Sequence, residues 1–563
     1  MSKTQGTIEG EADEAGAPPL ILNFVSSGPI SRQDYESLFS YESERPLTLI
    51  IAGLDSGGGA GLSADTLTVY DLGAYPLNCE TALTAQSLKR VAAVEPVQSE
   101  LFEQTLTLLL EDFGAPAAIK VGLISSAAVL EAVLRCLKDR LPQVPVVWDP
   151  VLNATAGRLD SADLKKELAR ILPLCEVFTP NYPEALELAA LPPESDISLS
   201  QLGEYFLERG ARHVIIKGGH RGTVAGETDE LSPTAACIDY CCSKDKVFAL
   251  SSPKVAGDGA HGGGCALSSA LAASLAQGYS FEDAAVLAKA YVYSGILKPA
   301  LTPGQAQAGD RAAAAAQCAR PPLGHHGLPR SLALFPRVLL SPLKSARGPF
   351  ASCPASLGLY PIVDSACWVE RLCEAGVRTV QLRIKDAASH SESFKTEVRR
   401  ACEVARAHHA RLFIDDYPEV ALECGAYGVH LGMEDLCEVD PALLERVRAG
   451  GLRLGVSTHG LFELLQALAL QPSYVALGHI FPTNSKAMPS RPQGLKRLSY
   501  EASLLRGQLS CVAIGGITEQ NVQEVLKSGV GAVALISAIT KAADPEAVTR
   551  RLLTVAGSGG DEP

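Results

Sequence analysis

Charged and polar side chains follow six of eight short apolar runs in the second half of the 563-residue chain. Arginine and lysine neutralise phosphate oxygens, and arginine can do so with two hydrogen bonds at once. Two carboxylates on adjacent strands can hold Mg²⁺ through their oxygens and water, and glycines leave backbone N–H groups open to a phosphate. The pattern predicts a site for an anionic substrate with a metal. Its members are Gln381, Arg383, Lys385, Asp415, Asp416, Glu434, Asp435, Ser457, Thr458, His459, Thr483, Asn484, Ser485, Lys486, Gly515, Gly516 and Ser537.

Two glycine-rich loops in the first half suit phosphoryl transfer. The first, residues 55–61, follows a strand-like run, and the second, residues 257–265, opens a helix rich in Ala, Ser and Leu. Successive backbone N–H groups at a helix N-terminus can form an anion hole for a transferring phosphoryl group. Cys265 stands at that N-terminus, so we expect a lowered thiol pKa. A Walker A loop is excluded because no Gly-Lys-Ser/Thr follows the first loop, and a dinucleotide motif because two helices, not a strand, follow the second.

The spacing of the eight apolar runs predicts the elements that position the first set of residues. Their starts lie 17 to 37 residues apart, which leaves room for one helix between each pair. Eight strands alternating with helices in ~200 residues is typical of a (β/α)8 barrel, whose chemistry lies at the C-terminal ends of the strands. An open doubly wound sheet is the alternative. The runs are residues 358–363, 379–384, 411–416, 428–431, 453–458, 474–478, 511–516 and 532–537.

The first half also alternates strand-like runs with amphipathic stretches, which indicates an α/β domain. The predicted strands are residues 47–53, 117–124, 144–151, 176–181 and 213–219, and two predicted helices are residues 62–72 and 281–297.

Seven motifs of the second half resemble thiamine-phosphate synthase. They are GLYPIVDS, VQLRIKD, GVHLG-x-ED, LGVSTH, ALGHIFPT-x-SK, PQGL and VAIGGI, spread over residues 357–555. The resemblance implies a TIM barrel that joins hydroxymethylpyrimidine diphosphate to thiazole phosphate and releases pyrophosphate. Two positions depart from the family pattern: Asp415 stands where the family has Asn, and Met433 where it has Gln.

The same resemblance implies a role for each residue that matches a motif. Arg383 and Lys385 would contact the diphosphate, while Asp416 and Asp435 would bind Mg²⁺. The remaining substrate contacts would be Gln381 and Ser457 at the pyrimidine, Thr483, Ser485 and Lys486 at phosphate groups, and Gly516, Ile536 and Ser537 at the thiazole phosphate.

The first half resembles the ribokinase-like hydroxymethylpyrimidine and phosphomethylpyrimidine kinases. The motifs are IAGLDSGGGAGLSAD, TALTAQ, IKVGLI, DPVL, TPNYPEA, IIKGGH and AHGGGCALSSALAA, within residues 46–298. The resemblance implies a three-layer α/β/α fold with ATP as co-substrate. It departs from the family at Gly263, where Thr is usual, and at residues 259–260, where Gly-Ala replaces Asn-Thr.

This second resemblance also implies site residues. Lys217 would approach the ATP phosphates. The other residues are Gly53, Asp65 and Gln86 at the pyrimidine, Asp149 and Glu184 at the Mg²⁺–ATP site, and Gly262, Gly264 and Cys265 in the catalytic loop.

Composition limits the other function classes. The chain has 63 Asp plus Glu against 49 Lys plus Arg, a net charge of -14, which argues against a general nucleic-acid binder. Fifteen cysteines are scattered without a C-x-x-C pair, as expected of reduced thiols in the cytoplasm rather than a zinc ribbon. The uncharged stretch 259–281 is rich in Gly and Ser, so we interpret it as a buried helix and expect no membrane span.

Composition shifts divide the chain into five parts. Residues 1–45 form a polar, acidic tail, and residues 299–356 form a linker rich in Ala, Pro and Gly whose apolar run 332–340 could instead dock on a domain. The kinase-like part covers residues 46–298, the synthase-like part residues 357–555, and a flexible tail residues 556–563.

The two halves agree on one pathway. The chain is interpreted as a bifunctional enzyme that phosphorylates hydroxymethylpyrimidine twice and condenses the diphosphate with thiazole phosphate. Its partners would be these small molecules, with Mg²⁺, and a homo-oligomer is compatible because both families tend to oligomerise. Two alternatives stay open: one domain impaired or acting as a pyridoxal-type kinase, or a ligand-binding regulator built from a decayed enzyme.

Overall fold

The computed structural model describes residues 45–87, 90–154, 157–158, 163–195, 197–218, 236–255, 261–298, 322–339, 348–385, 391–483 and 491–559. Predicted residues Ser485 and Lys486 lie outside these ranges, as do residues 1–44 of the N-terminal tail, 299–321 and 340–347 of the linker, and 560–563 at the C-terminus.

A ten-stranded sheet forms the centre of the N-terminal domain, in the order β12-β11-β10-β9-β8-β5-β4-β1-β2-β3. The six strands from β9 to β2 run parallel, and antiparallel strands extend both edges. A short hairpin, β6–β7, lies outside the sheet. The strands are β1 Leu47–Asp55, β2 Tyr75–Gln86, β3 Val91–Pro96, β4 Ala118–Val121, β5 Val146–Trp148, β6 Asn153–Ala154, β7 Gly157–Arg158, β8 Val177–Phe178, β9 His213–Ile216, β10 Ala236–Ser243, β11 Val247–Pro253 and β12 Arg337–Leu339.

Helices cover both faces of this sheet, which makes the three-layer α/β/α fold. Side chains of a strand alternate between faces, so Leu49 and Ile51 enter one core while Ile50 and Ala52 enter the other. Helices α2 to α6 line the first core, and α1, α7 and α8 line the second. Their bounds are α1 Gly61–Asp71, α2 Ser99–Phe113, α3 Ala127–Arg135, α4 Leu164–Ile171, α5 Tyr182–Leu188, α6 Leu199–Glu208, α7 Gly263–Ala276 and α8 Phe281–Leu297.

Part of the segment predicted as a linker packs on this domain. Strand β12 pairs antiparallel with β11, and Leu323 is buried in the second core. Gly327 donates its N–H to Asp71 Oδ2 at 3.0 Å, and Tyr291 donates its hydroxyl to the same oxygen. Residues 322–339 therefore extend the sheet and cover the end of α1.

Eight parallel strands close into a barrel in the C-terminal domain, so the alternative of an open sheet is wrong. The predicted runs match the strands to within two residues at either end. Tyr360, Phe413 and Tyr474 fill the barrel interior, while a larger apolar core separates the strands from the surrounding helices. The strands are β13 Gly358–Val363, β14 Thr379–Leu382, β15 Arg411–Asp415, β16 Gly428–Leu431, β17 Arg453–Thr458, β18 Tyr474–Leu477, β19 Ser510–Ile514 and β20 Ala532–Leu535.

The barrel helices lie between the strands in sequence. They are α9 Ala366–Glu374, α10 Glu392–Ala407, α11 Pro418–Cys424, α12 Met433–Glu438, α13 Pro441–Ala449, α14 Leu461–Ala469, α15 Gly494–Leu505, α16 Val522–Lys527, α17 Ser537–Thr540 and α18 Pro545–Ala556. Within the described ranges, none of the helices combines the length and the apolar composition needed to cross a bilayer.

Candidate active sites

The first glycine loop is shaped by Asp55, the last residue of β1. Its carboxylate accepts hydrogen bonds from the N–H groups of Gly57, at 2.8 Å, and Ala60, at 2.9 Å. His261 Nε2 lies 3.2 Å from the same carboxylate. Burial alone would raise the pKa of Asp55, but the hydrogen bonds from His261 and Gly57 hold it below its ordinary value. Asp55 therefore ties the start of this loop to the second glycine loop.

The two glycine loops touch through their backbones. Gly262 has a left-handed φ of 85°, and a Cβ at this position would lie 1.8 Å from the carbonyl oxygen of Gly59. Gln86 Nε2 lies 3.4 Å from His261 Nε2. Leu123 packs closely on Gly53: a Cβ added to Gly53 would lie 3.0 Å from Leu123 Cδ2. Gln86 and Gly262, predicted separately, thus meet around His261.

Asp65 forms a fully buried ion pair with Lys120. Lys120 Nζ donates to Asp65 Oδ2 at 2.5 Å, and Ser269 Oγ donates to Oδ1 at 2.7 Å. Burial has the largest single influence and would lower the pKa of Lys120, but the charges of Asp65, Cys265 and Asp149 together raise it above its ordinary value. Lys120 is a site residue that sequence analysis missed, although its motif, IKVGLI, was recognised. The sequence signal that could have identified Lys120 is a lysine within an otherwise apolar strand.

A second buried pair joins Asp149 and Lys217. Lys217 Nζ donates to Asp149 Oδ1 at 2.6 Å, with the lysine side chain 13% exposed and the carboxylate 2%. A Cβ on Gly264 would lie 3.3 Å from Lys217 Nζ, so this cation lies against the second glycine loop. Glu184 and Asn181 cap α5 reciprocally, with bonds of 2.8 and 2.9 Å. Burial raises the pKa of Glu184 against the opposing charge of Lys217.

The expectation of a lowered pKa for Cys265 is wrong. Burial raises the pKa of its thiol to about 11, and the charges of Asp65 and Asp149 act in the same direction. The positive charge of Lys120 opposes them without reversing the shift. Desolvation disfavours the thiolate more strongly than one buried, already paired lysine favours it.

In the barrel, Asp415 binds two residues that were predicted to contact the substrate. Its carboxylate accepts hydrogen bonds from Gln381 Nε2 at 2.5 Å and Arg383 Nε at 2.7 Å. These three residues stand at the C-terminal ends of neighbouring strands, β14 and β15. Burial raises the pKa of Asp415, and the charge of Asp416 adds to the shift. Where the related family has a neutral Asn, this chain therefore holds a paired acid.

Asp416 and Asp435 form an acidic pair after β15 and β16. Asp416 has a left-handed φ of 67°, and its N–H donates to the carbonyl of His430 at 3.1 Å. Asp435 accepts from the N–H of Gly432 at 2.9 Å. Burial, followed by the charge of Asp435, raises the pKa of Asp416. The two carboxylates repel each other, and the positive charge of Arg383 does not offset the shift in pKa. Such a pair fits Mg²⁺, which binds one or two carboxylates together with water and phosphate oxygens.

No group of three or more His, Cys, Asp and Glu side chains placed to hold a metal ion is found in the described part of the chain. The barrel pair would therefore need oxygens from substrate or water to complete an octahedral shell.

Ser457 belongs to a polar chain that crosses the barrel interior. Its Oγ lies 2.8 Å from His430 Nε2, His430 Nδ1 lies 2.7 Å from the Tyr474 hydroxyl, and the Tyr360 hydroxyl lies 2.7 Å beyond that. Burial lowers the pKa of His430 to about 4, so the ring is neutral at physiological pH. Sequence analysis named Ser457 only. The other members were visible as polar residues inside apolar strands.

The remaining predicted residues cluster after β18, β19 and β20. Gly516 has a φ of 68°, and a Cβ there would lie 2.7 Å from Phe481 Cβ and from the Pro482 carbonyl oxygen. The loop carrying Thr483 is thereby held against the glycine turn. Ile536 precedes α17, and Ser537 begins it. The structure places Thr483, Gly516, Ile536 and Ser537 at one end of the barrel, with Gln381, Arg383, Lys385, Asp416, Asp435 and Ser457 at the ends of the other strands.

Comparison with protein families finds two matches in the chain. The phosphomethylpyrimidine kinase family matches residues 55–309. The thiamine monophosphate synthase family matches residues 359–539.

Individual relatives each match a part of the chain. A thiamine-phosphate synthase from Citrobacter koseri is 52% identical over 212 residues, which cover 38% of this chain and 98% of that protein. Among solved structures, a phosphomethylpyrimidine kinase from Clostridium difficile is 31% identical, with 45% of this chain and 100% of that chain covered and a TM-score of 0.37. A Staphylococcus aureus pyridoxal kinase in complex with pyridoxal is 25% identical, covering 53% of this chain and 98% of that chain, with a TM-score of 0.41.

Proposed function

Because the chain belongs to the thiamine-phosphate synthase family and carries a phosphomethylpyrimidine kinase domain before the barrel, we propose that it performs both reactions. The kinase domain uses ATP to phosphorylate hydroxymethylpyrimidine to its mono- and diphosphate. The barrel condenses the diphosphate with thiazole phosphate to thiamine phosphate and releases pyrophosphate. The observation that carries the proposal is the 52% identity across nearly the whole length of a synthase, in the same chain as a kinase domain.

In the kinase domain, the proposed catalytic groups position the transferring phosphoryl group and neutralise its negative charge. Lys217 neutralises the transferring phosphoryl group, and the backbone N–H groups around Gly262 and Gly264 receive its oxygens. Cys265, with a thiol pKa of about 11, reaches the substrate as S–H and not as thiolate. Asp149 and Glu184 would hold Mg²⁺ with ATP, which supplies further positive charge at the phosphates. Gly53, Asp65 and Gln86 are assigned to the pyrimidine, with Asp65 acting through its pair with Lys120.

In the barrel, loss of pyrophosphate leaves a resonance-stabilised pyrimidine cation that the thiazole nitrogen attacks. Arg383 and Lys385 neutralise the departing diphosphate, and Gln381 and Ser457 hold the pyrimidine. Asp416 and Asp435 would hold Mg²⁺, which supplies positive charge at the leaving group. The protein's own task is to keep both rings in one orientation and to stabilise the leaving anion.

The thiazole phosphate is assigned to the opposite strands of the barrel. Gly516, Ile536 and Ser537 would hold it after β19 and β20. Thr483, Ser485 and Lys486 would bind phosphate groups after β18, and Lys486 would add a third cation for the pyrophosphate.

The boundaries and surroundings of the two domains are also proposals. The kinase covers residues 46–298 and the synthase residues 357–555, with residues 1–45, 299–356 and 556–563 outside them. We place the protein in the cytoplasm, acting on small molecules without nucleic acid or membrane, and allow for a homo-oligomer.

Two assays test the proposal separately. Purified chain is given hydroxymethylpyrimidine or pyridoxal with ATP and Mg²⁺, and separately the pyrimidine diphosphate with thiazole phosphate. We expect phosphorylation of the pyrimidine in preference to pyridoxal, and thiamine phosphate from the second mixture. Cys265→Ala should abolish the first reaction and spare the second. Preferred phosphorylation of pyridoxal, or binding of both pyrimidine substrates without turnover, would overturn the proposal.

A further inference from the structure

A carboxylate of the kinase domain caps a helix of the barrel. Helix α14 begins four residues after Ser457, and its N-cap residue is Gly460, which has no side chain to accept a backbone N–H. Asp283 of α8 accepts the hydrogen bond from the Phe462 N–H instead, at 2.9 Å. A side-chain oxygen bonded to the second N–H of a helix is the ordinary N-cap contact. Here it comes from another domain.

The contact is fitted to a glycine. A Cβ on Gly460 would lie 2.2 Å from Asp283 Oδ2. The φ of Gly460 is 162°, an extended conformation open to any residue. The Asp283 carboxylate, and not backbone strain, is therefore what a side chain at this position would meet.

Hydrogen bonding and packing support the same arrangement, although burial raises the pKa of Asp283 to about 6 against the hydrogen bond from Phe462. Asp283 lies in the first turn of α8, where Ser280 Oγ accepts its backbone N–H at 3.1 Å, so its side chain is left for the barrel. The carboxylate thus faces the positive ends of two helices, α8 and α14. Phe462 packs on Phe248 of the kinase sheet, with ring centroids 4.8 Å apart, and both Leu461 and Phe462 belong to the kinase core.

The capped helix is connected directly to the proposed pyrimidine contact. Strand β17 ends at Thr458, and Glu463 of α14 accepts the His459 N–H at 2.8 Å, which fixes the turn between strand and helix. On the other side, Ser457 Oγ lies 2.8 Å from His430. Only Thr458 and His459 separate Ser457 from Gly460, so a shift in the start of α14 would act on the C-terminal end of β17.

We propose that Asp283, a residue of the kinase domain, is a positioning residue for the synthase: it fixes the start of α14 and thereby the turn that follows Ser457. The inference rests on the proposed function of the barrel. It implies that the synthase site is complete only when the kinase domain is docked.

The first test measures the synthase with pyrimidine diphosphate and thiazole phosphate supplied directly. Asp283→Ala should raise the KM for pyrimidine diphosphate about fivefold, because uncapping lowers the fraction of molecules with Ser457 in place. The KM for thiazole phosphate, held by other strands, should not change, and neither should kinase activity. Asp283→Asn keeps an acceptor for the Phe462 N–H and should restore most of the affinity. Ser198→Ala removes the N-cap of α6, a kinase helix that does not carry Asp283, and should leave the synthase unchanged.

A second variant keeps the test decisive if Asp283→Ala does not fold. Gly460→Ala should displace the carboxylate and raise the same KM, whereas adding it to Asp283→Ala should cause no further rise. Equal losses in both activities, an equal effect of Ser198→Ala, or an unchanged KM in Asp283→Ala would each overturn the inference. Failure of the unmodified chain to make thiamine phosphate would instead refute the proposed function.

Discussion

The two proposed sites handle charge in opposite ways. In the proposed kinase site both lysines already face a carboxylate: Lys120 pairs with Asp65, and Lys217 with Asp149. In the barrel three carboxylates, those of Asp415, Asp416 and Asp435, meet near Arg383, and burial raises the pKa of the first two.

Because of this difference, substrates and Mg²⁺ should affect the two sites differently. Substrate phosphates entering the kinase site compete for cations that are already paired, so the site is ordered before they arrive. The acidic pair of the barrel is stabilised only when a cation or a cationic substrate shares it. We therefore expect the synthase to depend more steeply on Mg²⁺ concentration than the kinase does.

The largest expected effect comes from breaking a kinase pair. Lys217→Ala should lower the kinase rate on the order of a hundredfold to a thousandfold, because it removes the cation at the phosphates and leaves the charge of the buried Asp149 without its lysine partner. The synthase reaction, measured with supplied diphosphate, should not change. Lys166→Ala, which removes an exposed ion pair with Asp163 in the same domain, is the control. A loss below tenfold would show that Lys217 does not contact the phosphates.

The barrel side is tested through its metal. Asp435→Ala and Asp435→Asn should both raise the Mg²⁺ concentration needed for half-maximal synthase activity, about tenfold, because either removes one of two carboxylate ligands. The Asn variant still accepts the Gly432 N–H, so it separates lost charge from a lost hydrogen bond. Mg²⁺ titrations of both activities on one preparation provide the measurement. A synthase titration that superimposes on that of the unmodified chain would count against the metal assignment.

A smaller effect should come from the polar chain behind Ser457. Tyr474→Phe leaves the Tyr360 hydroxyl and His430 Nδ1 without the partner they share. We expect a severalfold loss of synthase kcat/KM and a loss of about 1–3 kcal/mol in the free energy of unfolding. Tyr360→Phe removes only the last link and should cost less in both measurements. Equal effects of the two variants would show that the chain does not position Ser457.

The last prediction concerns the pH dependence of stability and not the activity of either site. Glu501 in α15 is 1% exposed, and burial, with the nearby charge of Asp283, raises its pKa to about 8. The folded state therefore holds a proton that the unfolded state releases at lower pH. Its stabilising contribution is complete below about pH 4 and is lost as pH rises through about 8. Between pH 5 and 8 this group makes the free energy of unfolding decrease as pH rises. Glu501→Gln should reduce that slope by up to about 1 kcal/mol per pH unit. Urea denaturation at several pH values measures this, and parallel curves would contradict it.

Local patterns predicted the barrel well and the edges of the kinase sheet poorly. Each barrel strand is a short apolar run with its own helix, so the signal is contained in about twenty-five residues. Strand β12, by contrast, pairs with β11 after a separation of more than eighty residues. Strand β10 has the sequence ACIDYCCS, which alternates poorly between apolar and polar residues. Antiparallel strands of this kind are specified by their partners rather than by their own period.

The residues of the candidate sites also fall into those that local sequence predicts and those that only the fold brings together. The motifs named Arg383, Asp416, Asp435 and Lys217, because types and spacing are local properties. Lys120 with Asp65, and Asp283 with Phe462, lie far apart in sequence and only the fold brings them together. The pKa of Cys265 was predicted wrongly for a related reason: its helix position is readable from sequence, but its burial is not.

The central claim is that one chain carries out consecutive reactions at two sites. The most direct test mixes the purified chain with hydroxymethylpyrimidine, ATP, Mg²⁺ and thiazole phosphate, and follows every pyrimidine species by ion-exchange chromatography. We predict that thiamine phosphate accumulates after a transient of pyrimidine mono- and diphosphate. Unreacted pyrimidine would contradict the kinase assignment, and a final accumulation of pyrimidine diphosphate would contradict the synthase assignment.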